Sequence, residues 1–187
     1  MTRSLLAAAV LSAATAACQP GADARTVDRA AGGSATTAVQ APGATAFVRA
    51  FYAAYAPRAR ASGLAALDSV LRERPADFTA TLGAALRADA AARAAAVGEV
   101  DGLDGDPFLN AQDPCEQYVV GDAAGAAPPP PAAVRVPVYA VCGGKRGADP
   151  AAIVEVVQQA GGWAVANVHY AGPPDDDLLS RLARLRS

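Results

Sequence analysis

The chain is poor in the residues that most often carry chemistry. Its 187 residues include one histidine, one lysine and three cysteines. A zinc site needs more ligands than one histidine and paired cysteines provide. Neither a G-x-S-x-G nucleophile motif nor a phosphate-binding glycine loop occurs. We therefore expect no metal, no cofactor and no enzymatic activity.

A basic excess is also missing. The 16 basic residues are outnumbered by 18 acidic ones, which gives a formal net charge of −2. Proteins that bind nucleic acids need clustered positive charge to replace the counterions of the phosphates. A nucleic-acid partner is therefore not expected.

Large apolar residues are scarcer than the composition suggests. Hydrophobic residues make up 52% of the chain, but 51 of them are alanine, and the other hydrophobic types together supply 47. A chain of this length can still bury enough surface for one domain. We expect a single domain with a lean core.

The N-terminus has the pattern of an export signal. Arg3 precedes an apolar run from Ser4 to Ala17 that is too short to span a bilayer comfortably. Thr15-Ala16-Ala17-Cys18 resembles a bacterial lipobox, except that Thr15 stands where leucine is usual. The prediction is a signal peptide over 1–17, lipidation at Cys18 and, from Gln19, an outer-membrane lipoprotein facing the periplasm. Ordinary cleavage to a soluble periplasmic protein is the alternative.

The remaining chain divides into a tether and a domain. Residues 18–44 lack a sustained period and predict a lipidated cysteine followed by a flexible tether. Residues 45–187 predict one α+β domain. Apolar residues at helical spacing predict a first helix that ends at Pro57, a second around Leu64 to Leu71, and a third from Phe78 to about Gly98.

Alternating patterns after Gly98 predict a curved antiparallel sheet of about four strands, onto which the helices pack. The strands are expected at 116–121, 133–142, 152–160 and 163–170, with a turn at Gly161-Gly162. A C-terminal amphipathic helix should follow Pro174, with Leu178, Leu182 and Leu185 forming its apolar stripe.

Cys115 and Cys142 form an even pair if Cys18 carries lipid, which predicts a disulfide in an oxidising compartment. Placing the two cysteines opposite each other in a hairpin would centre the turn in the proline run at 128–131. The same register would pair Tyr118 with Tyr139.

One loop carries a resemblance to a known family. Its string is Asp106-Pro107-Phe108-Leu109-Asn110-Ala111-Gln112-Asp113. Together with Phe51-Tyr52, Gly162-Trp163-Ala164-Val165 and Val168-His169-Tyr170, it resembles a domain-of-unknown-function family of proteobacterial envelope lipoproteins, the YbjP-like proteins. The resemblance implies an NTF2-like (cystatin-like) cone, in which N-terminal helices pack into the concave face of the sheet.

The string has two interpretations. Either it locks the helices to the sheet, or it forms a binding loop through Asp106, Pro107, Phe108, Gln112 and Asp113. A calcium loop is not expected, because the acidic spacing is wrong and no bidentate glutamate closes it.

Three functions follow as hypotheses. The first is a non-enzymatic, lipid-anchored periplasmic domain that binds or stabilises an envelope protein partner. The second is a pocket for a small apolar or cell-wall-derived ligand, lined by Phe51, Tyr55, Trp163 and His169. The third and least favoured is a cavity enzyme that uses His169 with Asp106 or Asp113.

Overall fold

In the described part of the chain, three α-helices precede the strands and a fourth follows them. The computed structural model describes residues 34–96, 102–125, 133–173 and 175–187, with side chains from Pro42 onward. The described residues belong to one unit, Ala31–Ser187. Its helical elements are α1 (Ser34–Ser62), α2 (Leu64–Glu73), a 3₁₀ turn (Pro75–Asp77), α3 (Ala80–Ala95) and α4 (Leu178–Arg184).

Helix α1 differs from the prediction at both ends. It overlaps the predicted tether from Ser34 onward and continues through Pro57 to Ser62. Alanine-rich sequence has high helix propensity, which favours the early start. Pro57 cannot donate to the carbonyl of Ala53, but both residues are exposed, so water can satisfy that group. The predicted end at Pro57 is therefore wrong.

The strands form one antiparallel sheet, so the mixed α+β class is confirmed. The order is β1-β3-β5-β6, and the short strands β2 and β4 also pair with β3. The four longer strands match the predicted limits to within one residue. The strands are β1 (Gln117–Val120), β2 (Ala124–Gly125), β3 (Val134–Cys142), β4 (Lys145–Arg146), β5 (Ala152–Gln159) and β6 (Gly162–His169).

The predicted disulfide is present, but the predicted register is off by one residue. The Cα atoms of Cys115 and Cys142 are 4.9 Å apart. Tyr118 pairs with Ala140 rather than with Tyr139. Residues that pair directly share a face, so this register turns Tyr118 toward the buried side of β3. Cys115 precedes β1 and does not set its pairing.

Two tight turns join the later strands. Gly143 and Gly144 connect β3 to β4 with φ of 57° and 72°, as a type I′ turn requires. The β5–β6 turn lies at Ala160-Gly161, because Gln159 pairs with Gly162. The predicted turn at Gly161-Gly162 is therefore one residue too late.

A bulge in β6 changes which side chains share a face. Val156 pairs with Val165, whereas Val154 pairs with Val168, so β6 contains one extra residue between these pairs. Val165 and Val168 consequently point to the same, fully buried side. If side chains alternated strictly along β6, His169 would lie on the same face as Val165. Because of the bulge, it lies on the opposite face.

The core lies between α1 and the inner face of the sheet. Val134, Val136 and Val138 of β3 are fully buried, as are Val154 and Val156 of β5. Their β-branched side chains fit the pleated surface well.

The C-terminal helix α4 uses a narrower apolar face than its sequence pattern suggests. Leu178 and Leu182 are buried, but Leu185 is 44% exposed. The helix ends at Arg184, so Leu185 lies at its C-cap rather than within the helix. The predicted three-leucine stripe is therefore wrong in its last member.

Candidate functional site

The loop between α3 and β1 is folded around the carboxylate of Asp106. This side chain is 4% exposed. Its Oδ1 accepts hydrogen bonds from the backbone N–H groups of Phe108 and Leu109, both at 2.9 Å, and its Oδ2 accepts the Tyr55 hydroxyl at 2.5 Å. Aspartate side chains often close turns in this way. Asp106 therefore fixes the shape of the loop.

Two more tyrosines hold the same loop by its backbone. Tyr52 of α1 donates its hydroxyl to the carbonyl of Phe108 at 2.6 Å, and Tyr170, which follows β6, donates to the carbonyl of Pro107 at 3.0 Å. Burial raises the pKa of both phenols, so they stay protonated as donors. The loop is thereby fastened to the helical layer and to the sheet.

Phe108 anchors the loop in the core. Its ring is fully buried, with its centroid 5.2 Å from that of Phe51 and 5.4 Å from that of Tyr55. Such contacts add stabilisation beyond area burial. Phe108 is therefore a packing residue, and the locking interpretation accounts for its position.

An open groove of about 690 Å³ lies between this loop and α4. The residues that line it come from both elements. Those used below are Asp104, Asn110 and Gln112 from the loop, Arg181 and Arg184 from α4, and Leu185 at its C-cap. The groove thus combines charged, amide and exposed apolar groups, which is a suitable mixture for a polypeptide surface.

The predicted binding-loop residues separate at this groove. Asp106, Pro107 and Gln112 line it, while Phe108 is in the core. Asp113 is exposed but is not among the lining residues. The structure therefore brings three of the five residues together at one surface.

The α4 side of the groove contains two arginines, of which one has a hydrogen-bonded carboxylate partner in the described chain and the other does not. Arg181 makes two hydrogen bonds with the carboxylate of Asp176, at 2.7 and 2.8 Å, and its guanidinium lies 3.7 Å from the ring centroid of Tyr170. Arg184 is exposed, and its guanidinium forms no hydrogen bond or ion pair with a described residue, although its charge helps to lower the pKa of Asp176. Arg184 is therefore the rim cation that is available to a ligand.

A second buried carboxylate supports the start of the loop. Asp89 is 4% exposed, and it accepts the backbone N–H of Leu103 at 2.9 Å and the Nε of Arg93 at 2.8 Å. Arg93 also pairs with Asp68 at 2.8 Å. The sequence did not predict this link between α3 and the loop. Its only signal there is the i, i+4 spacing of Asp89 and Arg93 on one helix.

His169 does not share a pocket with the predicted aromatic residues. Its Nε2 lies 2.9 Å from Oε2 of Glu155, with which it shares the outer face of the sheet. Trp163 lies on the other side of the β6 bulge, against Gly43 of α1. Phe51 and Tyr55 are 1% exposed. The four residues are therefore not walls of one cavity.

Asp106 and His169 have different partners. The acceptor bonds of Asp106 come from Tyr55, Phe108 and Leu109, whereas His169 contacts Glu155. Asp113 forms no hydrogen bond or ion pair with His169 in the described part of the chain. The acid–base pair that a cavity enzyme would need is not assembled within this part of the chain.

Within the described ranges, no group of three or more histidine, cysteine or acidic side chains could hold a metal ion. None of the described helices is long and apolar enough to cross a membrane. The signal peptide, Cys18 and Gln19 lie outside the described residues.

Comparisons with protein-family models, curated proteins and solved structures found no match to this chain. The resemblance to envelope lipoproteins and to the NTF2-like cone therefore stays a prediction.

Proposed function

We propose that this protein is a non-enzymatic, lipid-anchored periplasmic domain that binds a protein partner in the bacterial cell envelope. The observation that carries the proposal is the groove between the 102–112 loop and α4. Binding surfaces work best when their backbone is held in place before the partner arrives, because less entropy is then lost. Three tyrosine hydroxyls and the buried Asp106 hold this loop in that way.

The disulfide supports the periplasmic part of the proposal. Disulfides persist in oxidising compartments and are rare in the cytosol. The Cys115–Cys142 pair leaves Cys18, which follows the predicted signal sequence, as the one cysteine available for acylation. An anchor at Cys18 would keep the domain at the outer membrane and raise its local concentration near membrane-bound partners.

The α+β arrangement supports the proposal that the domain has an NTF2-like cone fold. Helix α1 packs on the inner face of an antiparallel sheet, which is the layer order such a cone requires. The interior that would hold a small ligand is occupied by Phe51, Tyr55 and Phe108. Partner binding at the groove is therefore favoured over a small apolar ligand in the cone.

Site-specific crosslinking in cells tests partner binding. We would place a photoreactive amino acid at Asn110, on the groove rim, and at Arg72, an exposed position on α2, as the matched control. The Asn110 probe should give a discrete crosslinked envelope protein that the Arg72 probe does not give. Arg184→Glu should reduce the yield of this product without changing the amount of folded protein.

Identical products from both probe positions would show non-specific proximity and contradict the assigned surface. A product that is insensitive to Arg184→Glu would also contradict it.

The anchor is tested separately by metabolic labelling with palmitate. Wild-type protein should incorporate the label and fractionate with the outer membrane, whereas Cys18→Ala should do neither. Equal labelling of the two proteins would remove the lipoprotein assignment and leave the soluble periplasmic alternative.

A further inference from the structure

A second groove lies between α1 and the edge strand β1. It has a volume of about 400 Å³ and is lined by one stripe of α1 and by Tyr118, Val119 and Val120 of β1. Val119 is 44% exposed, which makes it one of the two large apolar residues exposed in the described chain. Exposed apolar surface beside a strand edge is a common feature of interaction sites.

The free edge of β1 offers unpaired backbone groups. Among the described residues, β1 pairs only with β3. Gly121 donates its N–H to the carbonyl of Pro137 at 2.9 Å, which shows which residues face β3. In an antiparallel pair, the backbone N–H and C=O groups of successive residues point alternately toward the partner strand and away from it. Tyr118 and Val120 therefore point these groups away from β3, to the open side. This edge can accept another strand.

The α1 side of the groove has a fitting shape. Its lining residues recur at helical spacing and so form one continuous face. The stripe consists of Arg49, Tyr52, Ala53, Ala56, Pro57 and Arg60. It is about 16 Å long at 1.5 Å per residue, which is the length of about five residues in extended conformation. The exposed Ala53 and Pro57 leave room in the middle for apolar side chains.

Positive charge stands at both ends of this stripe. Arg49 is exposed, and no described residue pairs with it. Arg60 donates to the backbone carbonyl of Glu116 at 3.0 Å, which leaves its charge without a carboxylate partner in the described chain. The carboxylate of Glu116 itself accepts the N–H of Gly143. The groove therefore attracts an acidic group at its Arg49 end, whereas the exposed Glu116 also lines the Arg60 end.

We propose that this groove binds an extended peptide of about five residues, which adds a strand to the edge of β1, packs apolar side chains on Ala53 and Pro57, and presents a carboxylate to Arg49. The backbone edge would supply affinity and the α1 stripe specificity. This site is independent of the groove beside α4.

A second copy of the chain fits the groove less well. Pairing two β1 edges about a two-fold axis would bring two α1 stripes together, each with its arginines at the ends. Like charges in such positions repel each other, and Glu116, the one carboxylate among the groove residues, already accepts the N–H of Gly143. The acidic peptide is therefore the favoured occupant.

Fluorescence anisotropy with full-length protein tests the proposal. The probe is a labelled peptide of alternating valine and threonine with an aspartate at each end. Binding should be saturable, and Arg49→Glu or Ala53→Trp should each weaken it by about tenfold or more. The matched control Ala54→Trp, at an exposed neighbour outside the groove, should change Kd by less than about twofold.

Two further probes separate the contributions. Lysines in place of the aspartates should weaken binding, and N-methylation of the peptide backbone should abolish it, because the methyl groups block strand pairing. Equal binding of either altered probe would overturn the proposal, as would no saturation up to about 1 mM. A dimer in sedimentation that dissociates on Ala53→Trp would identify a second copy as the occupant and overturn it too.

Discussion

Asp106 is buried without an ion-pair partner among the described residues, and its acceptor bonds define the loop. The D-P-F-L string indicated a locking role for this aspartate and for Phe108. Its tyrosine partners were not predictable, because Tyr52 and Tyr55 lie more than 50 positions away in the sequence. Hydrogen bonds between residues so distant in sequence depend on how α1 packs against the loop. Local sequence patterns do not encode this packing.

Replacing Asp106 should be costly. Asp106→Ala leaves two backbone donors and the Tyr55 hydroxyl without acceptors in a buried site, so we expect a loss of roughly 2–4 kcal/mol in the free energy of unfolding. Urea unfolding would measure it. Asp104→Ala, at an exposed position of the same loop, is the control and should change stability by less than about 0.5 kcal/mol.

The charge of Asp106 should also give stability a pH dependence. Burial raises the pKa of its carboxyl, and the hydrogen bonds from Tyr55, Leu109 and Phe108 offset this only in part. Because the pKa of Asp106 is higher in the folded state, its protonation stabilises the fold. This stabilisation is fully present below the unfolded-state pKa of about 3.9 and is lost as pH rises through the folded-state pKa. Asp106→Asn should lack this loss. Parallel stability curves for the two proteins between pH 4 and pH 7, by urea unfolding, would contradict the expectation.

At the scale of elements, patterns with a regular period were the most informative. The alternation of β3 and β5 predicted their limits because both strands bury one face continuously. The β6 bulge broke that rule at His169, and nothing in the local sequence marks the extra residue. Cys115 lies outside the ladder of β1 and does not set its pairing, so the β1 register could not be derived from the cysteine positions.

The start of α4 provides a prediction at this scale. Asp177 caps the helix by accepting the Ser180 N–H at 3.0 Å and the Asn167 amide at 2.9 Å. Asp177→Ala should therefore cost about 0.5–2 kcal/mol, whereas Asp177→Asn, which keeps a capping oxygen, should cost less. Thermal unfolding at neutral pH would compare the three proteins.

The pH dependence of this cap has the opposite sign to that of Asp106. Burial acts to raise the pKa of Asp177, but hydrogen bonds from Ser180 and Asn167 outweigh it, so the pKa is lowered. The stabilisation is present above the unfolded pKa and is lost as pH falls through the folded value. The cost of Asp177→Ala should therefore shrink in acid, and an unchanged cost there would count against the charged cap.

At the scale of the whole molecule, alanine content explains why the domain needs covalent and polar support. The buried core is formed mainly by valines, leucines and a few aromatic rings, and many of the alanines lie elsewhere in the chain. The α+β class followed from the change of period after Gly98. The two grooves could not be predicted from the sequence. Each forms where elements distant in sequence pack together, and local sequence patterns do not show that packing.

The disulfide should therefore contribute a large share of the net stability. Cross-linking Cys115 to Cys142, 27 positions apart, removes loop-closure entropy from the unfolded chain and should stabilise the fold by about 3–4 kcal/mol. A marginally stable domain has only about 5–15 kcal/mol in total. The double variant Cys115→Ala, Cys142→Ala should lose that amount in urea unfolding, and reduced wild type should match it. Reductant should leave the double variant unchanged, and a loss below about 1 kcal/mol would show that the unfolded chain gains little freedom when the link is cut.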